Sequence, residues 1–195
     1  MLISPLLALE TSTVLLRPLQ PNDADALHAL AAADPDMWAY FTVNLADRNT
    51  MNWWIDASLK ERAAGTRIPF TIMEKSTGRI TGSMSYLNIS YFDQRLEIGS
   101  SWLGKEFRSA GINKHSKYIM MNYAFEQLNF ERVEYKTDVL NERARQGLRN
   151  IGGIEEGILR SHMKMWNDRR RTSIFYSVLK DEWPRLKDTI FAGIA

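Results

Sequence analysis

The stretch WLGKEFRSAGINKHSKY, residues 102–118, decides how the chain is read. A strand reaching Leu103 spends Gly104 and Lys105 and then launches a helix through Arg108, Ser109, Ala110, Gly111, Ile112 and Asn113. Small residues just ahead of a helix let backbone come close to something. A helix start leaves about four backbone N–H groups without helical partners, and its dipole is positive there. Such an end accepts anions, and Arg108 adds a fixed positive charge. The loop therefore reads as a cradle for a phosphate or pyrophosphate; the plainer alternative is that Gly111 merely starts a helix. Gly104 and Gly111 do not have the spacing of G-x-x-x-x-G-K-[ST], and no G-x-G-x-x-G occurs.

Outward from this loop, the preceding segment QRLEIGSSWLG is predicted as a strand, with Gly99 marking a bulge or a close backbone approach. After the loop a long helix is expected to about Asn129, with Tyr118, Met121, Phe125 and Leu128 on one apolar face. ERVEYKTDV alternates as a strand. NERARQGLRNIGG is a helix capped by Asn141, with Gly152 and Gly153 past its end. Residues 154–183 read as two strands around an Asn167–Asp168 turn.

Toward the N-terminus, TSTVLLRPL reads as a first strand and Asn22 or Asp23 as the cap of a helix that Pro35 stops. An irregular aromatic segment, 36–48, precedes a helix opened by Asn49 or Thr50 and stopped by Gly65. RIPFTIMEK and the segment after Ser76-Thr77-Gly78 form a hairpin. The order βαα, βββ, αβ, αββ implies one mixed, mostly antiparallel sheet with helices packed on it, an α+β class, and a single domain over residues 1–195.

Composition narrows the function. The 195 residues hold no cysteine, which excludes disulfides, thiolate metal sites and cysteine nucleophiles and fits a reducing cytoplasm. No metal is expected. The net charge of +2 gives no field that argues for nucleic acid. No apolar run approaches the roughly 18 residues a membrane span needs. The apolar start has no positive residue before Arg17, so no signal peptide is expected.

The strand LEIGSSWL, the R-x-x-G-x-N loop, the helix ending YAFEQLNFERVEYKT, and then NERARQGLRNIGG and EEGILR together resemble the GNAT acyl-CoA N-acyltransferases. The nearest branch in pattern holds the ribosomal-protein N-terminal acetyltransferases of the RimJ/RimL type. The resemblance runs from about Thr13 to Trp183 and is most specific from Glu97 to Arg160. It implies the GNAT fold, with two central strands splayed around acetyl-CoA as cosubstrate. In that family the loop wraps the pyrophosphate with main-chain N–H groups. Arg108 and Gly111 match its first and fourth positions, with Ser109, Ala110 and Ile112 between and beside them, and Asn113 replaces the usual final small residue. The resemblance further implies that Ser101, Trp102 and Leu103 pair with the pantetheine arm and that Asn141 bonds it; a plain N-cap at Asn141 fits the same geometry.

Acetyl transfer to an amine needs a base, a polarised carbonyl and a stabilised thiolate. Keeping an alkylamine of pKa ~10.4 neutral at pH 7 costs about 4–5 kcal/mol, whereas an α-amine near ~8 costs only about 1. Glu97 is the candidate base; the alternative is a surface glutamate or one paired with Arg95. His115, by its position, flanks the phosphates. The family's usual thiolate donors fall on Ala144 and Leu148, both apolar here, and Ser100, Ser101 and Tyr135 are possible substitutes. On the acceptor side, Trp38, Tyr40, Phe41, Trp53, Trp54 and Trp166 either line an amine pocket or mostly fill core. Arg169, Arg170 and Arg171 read as a solvated hairpin tip, or as an attractor of acidic acceptors or RNA.

The expected function is an acetyl-CoA-dependent N-acetyltransferase acting on a primary amine, a protein or peptide N-terminus first and a small-molecule amine second. It is expected to be cytoplasmic, a monomer or homodimer, without membrane or nucleic-acid partners. The apolar Ala144 and Leu148 motivate a second possibility, a non-catalytic acyl-CoA-binding regulatory protein.

Overall fold

The computed structural model describes residues 2–108 and 110–194. Eight strands form one sheet: β1 (Leu9–Glu10), β2 (Val14–Pro18), β3 (Arg67–Glu74), β4 (Ile80–Ser90), β5 (Arg95–Leu103), β6 (Arg132–Asp138), β7 (Ile154–Lys164) and β8 (Arg170–Leu179). Their order is β1-β2-β3-β4-β5-β6-β8-β7. Every neighbouring pair is antiparallel except β5 and β6, which run parallel. The helices are α1 (Ala24–Ala32), α2 (Arg48–Ala63), α3 (Ile112–Asn122), α4 (Glu142–Arg149) and α5 (Trp183–Asp188).

The period-two patterns sort residues onto two faces. On one, Phe70, Met84, Tyr86, Ile98, Val133 and Tyr135 pack against the inner side of α3. The Tyr86 hydroxyl donates to the Met120 carbonyl at 2.7 Å, pinning that helix to the sheet. On the other face, Leu27, Trp38, Met51, Trp54 and Ile55 from the N-terminal helices and their connection enclose Trp102.

Several local signals resolve differently from their sequence reading. α2 is capped by Asp47, whose carboxylate accepts from the Thr50 N–H at 2.8 Å, rather than by Asn49 or Thr50 as expected. Asp23 does not cap α1 with its side chain; the carboxylate accepts from the Gln20 N–H (2.9 Å), takes a two-pronged bond from Arg17 (2.6 and 2.8 Å) and a bond from the Thr71 hydroxyl (2.6 Å). The helix expected to reach Asn129 is α-helical only to Asn122. It then widens into one π turn, Tyr123–Gln127, with the Leu128 N–H reaching back to the Tyr123 carbonyl, and Met121, Phe125 and Leu128 remain buried as predicted. The C-terminal helix α5, absent from the sequence reading, buries Trp183 beside Phe125.

Two features shape the middle of the sheet. First, β5 is bulged one residue beyond Gly99: Ser83 pairs with Trp102 and Ser85 with Gly99, so Ser100 and Ser101 together oppose Met84. Ser100 takes the left-handed backbone this requires, φ 52°. The buried Arg67 braces the bulge, donating to the Ser85 and Ser100 hydroxyls at 3.0 and 3.1 Å while lying over the Trp54 ring. Second, β5 and β6 pair only from Arg95–Arg132 to Glu97–Glu134, and beyond that both strands continue without pairing to each other.

Gly82 sits where β4 meets the far side of the bulge. A Cβ there would lie 2.1 Å from the Trp102 carbonyl oxygen and 2.9 Å from the Leu103 Cα, both backbone atoms that cannot swing aside. Gly82→Ala should cost about 1–3 kcal/mol by overpacking and lower Tm by roughly 4–10 °C. An unchanged melting curve would contradict this contact.

Candidate active site

Where β5 and β6 part, a cavity of about 730 Å³ opens between them. It passes from the N-terminal ends of α3 and α4 through the sheet to the segment 37–43 and to Met163 and Arg171 of the β7–β8 hairpin.

One end is built on Gly111. Its backbone is left-handed, φ 78° and ψ −14°, a conformation that a β-carbon penalises. A Cβ there would meet nothing closer than 3.8 Å, so conformation rather than crowding calls for glycine. The His115 N–H bonds the Gly111 carbonyl, so the amides of residues 112–114 precede the first helical bond. Gly111, Asn113 and Lys114 line the cavity, and Arg143 of α4 joins them. Arg108 also lines it, but its guanidinium is held by Asp34 (2.6 Å) and the Leu103 carbonyl (3.1 Å). It therefore braces the loop. Ala110 is exposed, the Ile112 side chain lies in the core, and Ser109 falls outside the described residues. His115 is turned toward the β1–β2 connection, with Thr11 at 3.0 Å from Nδ1 and Thr13 at 3.4 Å from Nε2; burial and Lys114 push its pKa down.

The middle of the cavity is walled by Ser101, Trp102 and Leu103 on one side and by Asn141, Ala144 and Leu148 on the other. Asn141 caps α4, its Oδ1 accepting from the Ala144 N–H at 3.1 Å. Gly152, with φ 88°, follows the helix end as expected.

At the far end stands Glu97, 4 % exposed. Its partner is not Arg95, which bridges to Asp93 and Glu134. Glu97 Oε2 takes bonds from Lys136 (2.6 Å) and from the Asn88 amide (2.7 Å). Oε1 lies over Gly99, only 2.7 Å from where a Cβ would be, so the bare Cα of Gly99 makes room for the carboxylate. From beneath, Lys117 of α3 places Nζ 4.7 Å from the Tyr135 ring centroid. Burial pushes its pKa down to about 7 despite the Glu97 charge. Burial also pushes the Tyr135 hydroxyl well up, and that hydroxyl has no hydrogen-bond partner among the described residues.

The aromatic segments divide as the plainer alternative had it. Trp38 and Trp54 are core and Trp53 is 59 % exposed, while Tyr40 and Phe41 line the cavity. Trp166 lies at the rim, donating Nε1–H to the Trp38 carbonyl at 2.9 Å. The solvated-tip expectation holds only for Arg170. Arg169 bonds Asp138 and the Ala39 carbonyl, and Arg171 is buried in the cavity wall.

Lys117 and Lys136 are the site residues that sequence reasoning missed, and Arg171 was read only as one of three hairpin-tip arginines. Lys117 carried a signal, since it lies four residues before Met121 on the apolar side of α3. Lys136 shares a strand face with Glu134 by simple alternation. Arg171 shares a face of β8 with Phe175 and Ser177, which pair with Lys136 and Glu134, so strand alternation places it on the Glu97 face once the start of β8 is known.

The acetyltransferase (GNAT) domain model matches residues 13–154. A Bacillus subtilis (strain 168) protein provisionally named ribosomal N-acetyltransferase YdaF is 29 % identical over 174 residues, 87 % of this chain and 93 % of that one. A Bacillus licheniformis protein named N-acetyltransferase p20 is 29 % identical over 90 % of this chain and 97 % of its own length. Among solved structures, a GCN5-related N-acetyltransferase from Brucella melitensis superposes with TM-score 0.87 at 25 % identity, covering 95 % of this chain and 84 % of that one. Mycobacterium smegmatis RimJ, solved with CoA-disulfide, shares the fold at TM-score 0.77 and 21 % identity, covering 91 % and 88 %. With a parted parallel pair, a glycine-started helix at its mouth and these relatives, the chain belongs to the GNAT acetyltransferase family and is an N-acetyltransferase.

Proposed function

We propose that the acyl donor is acetyl-CoA and that the acceptor is a primary amine, a peptide or protein N-terminus before a small molecule. The observation that carries this is the cavity running through the parted strands from the start of α3 to Glu97. A passage lined by residues from the start of α3 to Glu97 suits a long, flexible donor whose anionic end stays at the mouth. RimJ, which has the same fold, was solved with a CoA derivative.

On this proposal the amides after Gly111, with Lys114 and Arg143, hold the pyrophosphate. Ser101, Trp102, Leu103 and Asn141 flank the pantetheine arm, and Arg108 fixes the loop. The thioester then lies near Gly99, beneath the Glu97 carboxylate. The amine nitrogen attacks the carbonyl carbon, the C–N bond forms and the C–S bond breaks. Glu97 Oε1 takes the proton the amine sheds, directly or through one water. An α-amine asks least of such a base.

The departing sulfur needs a proton or a positive charge, and Ala144 and Leu148 supply neither. Tyr135 is disqualified by burial, which makes its hydroxyl a weaker acid. Lys117, pushed to about 7, is a far stronger acid than an ordinary lysine and sits below a thiol's usual ~8.5. It is the group we assign to the sulfur, and with it the apolar Ala144 and Leu148 cease to argue for a protein without turnover.

Calorimetric titration with acetyl-CoA, followed by thiol release against peptides and small amines, tests the whole; binding without release for any amine would overturn the transferase chemistry. Gly111→Glu should abolish acetyl-CoA binding, because it strains a left-handed position and sets a negative charge against the phosphates. Unchanged affinity would remove the phosphates from this loop. Glu97→Gln should lower kcat about 100-fold or more while sparing acetyl-CoA affinity, and an unaltered kcat would exclude Glu97 as base.

Lys117 also links stability to pH. Its folded pKa lies below its ordinary 10.5, so the unfolded chain binds more protons between about 7 and 10.5. The wild-type protein therefore carries the full cost of the buried charge below about pH 7 and recovers it as pH rises. Lys117→Met should be more stable than wild type at pH 6, by about 1 kcal/mol or more, with the gap closing toward pH 10. A gap constant across that range would show that no charge is being buried there.

A further inference from the structure

Six cations and one carboxylate line the cavity: Arg108, Lys114, Lys117, Lys136, Arg143 and Arg171 against Glu97. Arg108, Lys114 and Arg143 stand at the mouth, by the starts of α3 and α4. The other three gather around Glu97, which cannot neutralise them all. Lys136 claims it by direct pairing at 2.6 Å. Lys117, its pKa pushed down to about 7 by burial, carries only part of a charge at neutral pH. Arg171 can do neither, since a guanidinium stays protonated in proteins and the acid beyond it, Asp138, is bonded by Arg169.

Arg171 is 7 % exposed, and its Nε and Nη2 are shut from solvent with no hydrogen-bond partner among the described residues. Leaving two charged donors buried and unused is costly unless a ligand meets them. Nε and Nη2 lie on one edge of the guanidinium, the side-on pair that grips both oxygens of a carboxylate in parallel. One unmet positive charge calls for one negative charge, which suits a carboxylate better than a doubly charged phosphate. The bonds of Trp166 and Arg169 to the Trp38 and Ala39 carbonyls tie the hairpin tip to the segment that lines the cavity.

We propose that the acceptor is an amine that also carries a carboxylate, and that Arg171 receives this carboxylate on the face of the sheet where Glu97 receives the amine's proton. The inference rests on the transferase reading above and narrows its acceptor. Contact requires the Arg171 side chain to turn toward the cavity that it already lines. The same unmet charge repels polyamines and lysine side chains.

The test is thiol release from acetyl-CoA with matched acceptors: free amino acids against their amides, peptides beginning with Asp or Glu against those beginning with Asn or Gln, and spermidine. The carboxylated member of at least one pair should exceed its neutral partner at least ten-fold in kcat/KM, chiefly through KM, and spermidine should be the poorest acceptor. Arg171→Gln should collapse that ratio toward one, and Arg171→Lys should restore part of it. Equal rates within every pair, or a ratio that Arg171→Gln leaves intact, overturns the proposal while leaving the transferase standing. A preference that follows the acyl donor, succinyl-CoA over acetyl-CoA, overturns the assignment to the acceptor. Binding of acetyl-CoA without release to any amine overturns both readings. Should Arg171→Gln fail to fold, the wild-type ratios alone still decide.

Discussion

The parting of β5 and β6 after Glu97 is the constraint on which the rest of the structure depends. A sheet normally closes such a gap, because unpaired N–H and C=O groups in a protein interior are costly. Here the bulge at Ser100 and Ser101 bends β5 away, and it is held from both sides. Gly82 allows β4 to close on the Trp102 carbonyl, and Arg67 bonds Ser85 and Ser100 beneath. On the proposed function, the backbone groups so released are free to bind the donor that lies in the slot. That Ser100 has a left-handed backbone shows the same thing in conformational terms, since a non-glycine residue adopts it only where its surroundings impose it.

From this one opening the placement of the other parts follows. α3 and α4 both start at the same end of the slot, so the two helix ends and the cations Lys114 and Arg143 share one mouth. Glu97 is the last β5 residue to pair with β6, so it sits at the fork itself, facing Lys136 across the gap. Lys117 comes up from α3 against Tyr135 on the opposite face of β6. On the proposed mechanism, a carboxylate above the fork and a desolvated amine below it divide the proton traffic of an acyl transfer between the two faces of the sheet.

Much of this was legible in the residues, and the illegible part has a physical cause. Gly111 declared the start of a helix, Asn141 a cap, and the apolar stripe of α3 its buried side; each is a local rule that tertiary structure left in force, though Gly111 is called for by its left-handed backbone rather than by a close approach. Gly99 was read as a bulge or a close approach, and it proved to be the close approach, with the bulge one residue on. Only the position of the Glu97 side chain separates the two, and it is a contact within the fold rather than a property of the segment. Asp23 looked like a cap because Asp favours caps, yet a guanidinium across the turn offered it more. The hairpin arginines were the largest miss. Three consecutive Arg beside a turn are usually solvated, and the local pattern does not reveal that β8 begins at Arg170, which puts Arg171 on the Glu97 face, or that Arg169 reaches Asp138.

That inward arginine bears on which amines the site can favour. Aromatic walls attract cations, and Tyr40 and Phe41 by themselves would suit any protonated amine. Charge at close range in a desolvated cavity outweighs such a contact, because a ring quadrupole is worth about 0.5–2 kcal/mol and a unit charge at 4 Å about 4 kcal/mol even at an effective dielectric constant near 20. The aromatic residues therefore shape the entrance, while the balance between Glu97, Lys136 and Arg171 sets the charge the acceptor must bring. On the proposed mechanism a neutral amine presented beside a carboxylate satisfies both: its nitrogen meets Glu97 as it sheds its proton, and its anion answers the guanidinium edge of Arg171, which has no hydrogen-bond partner among the described residues.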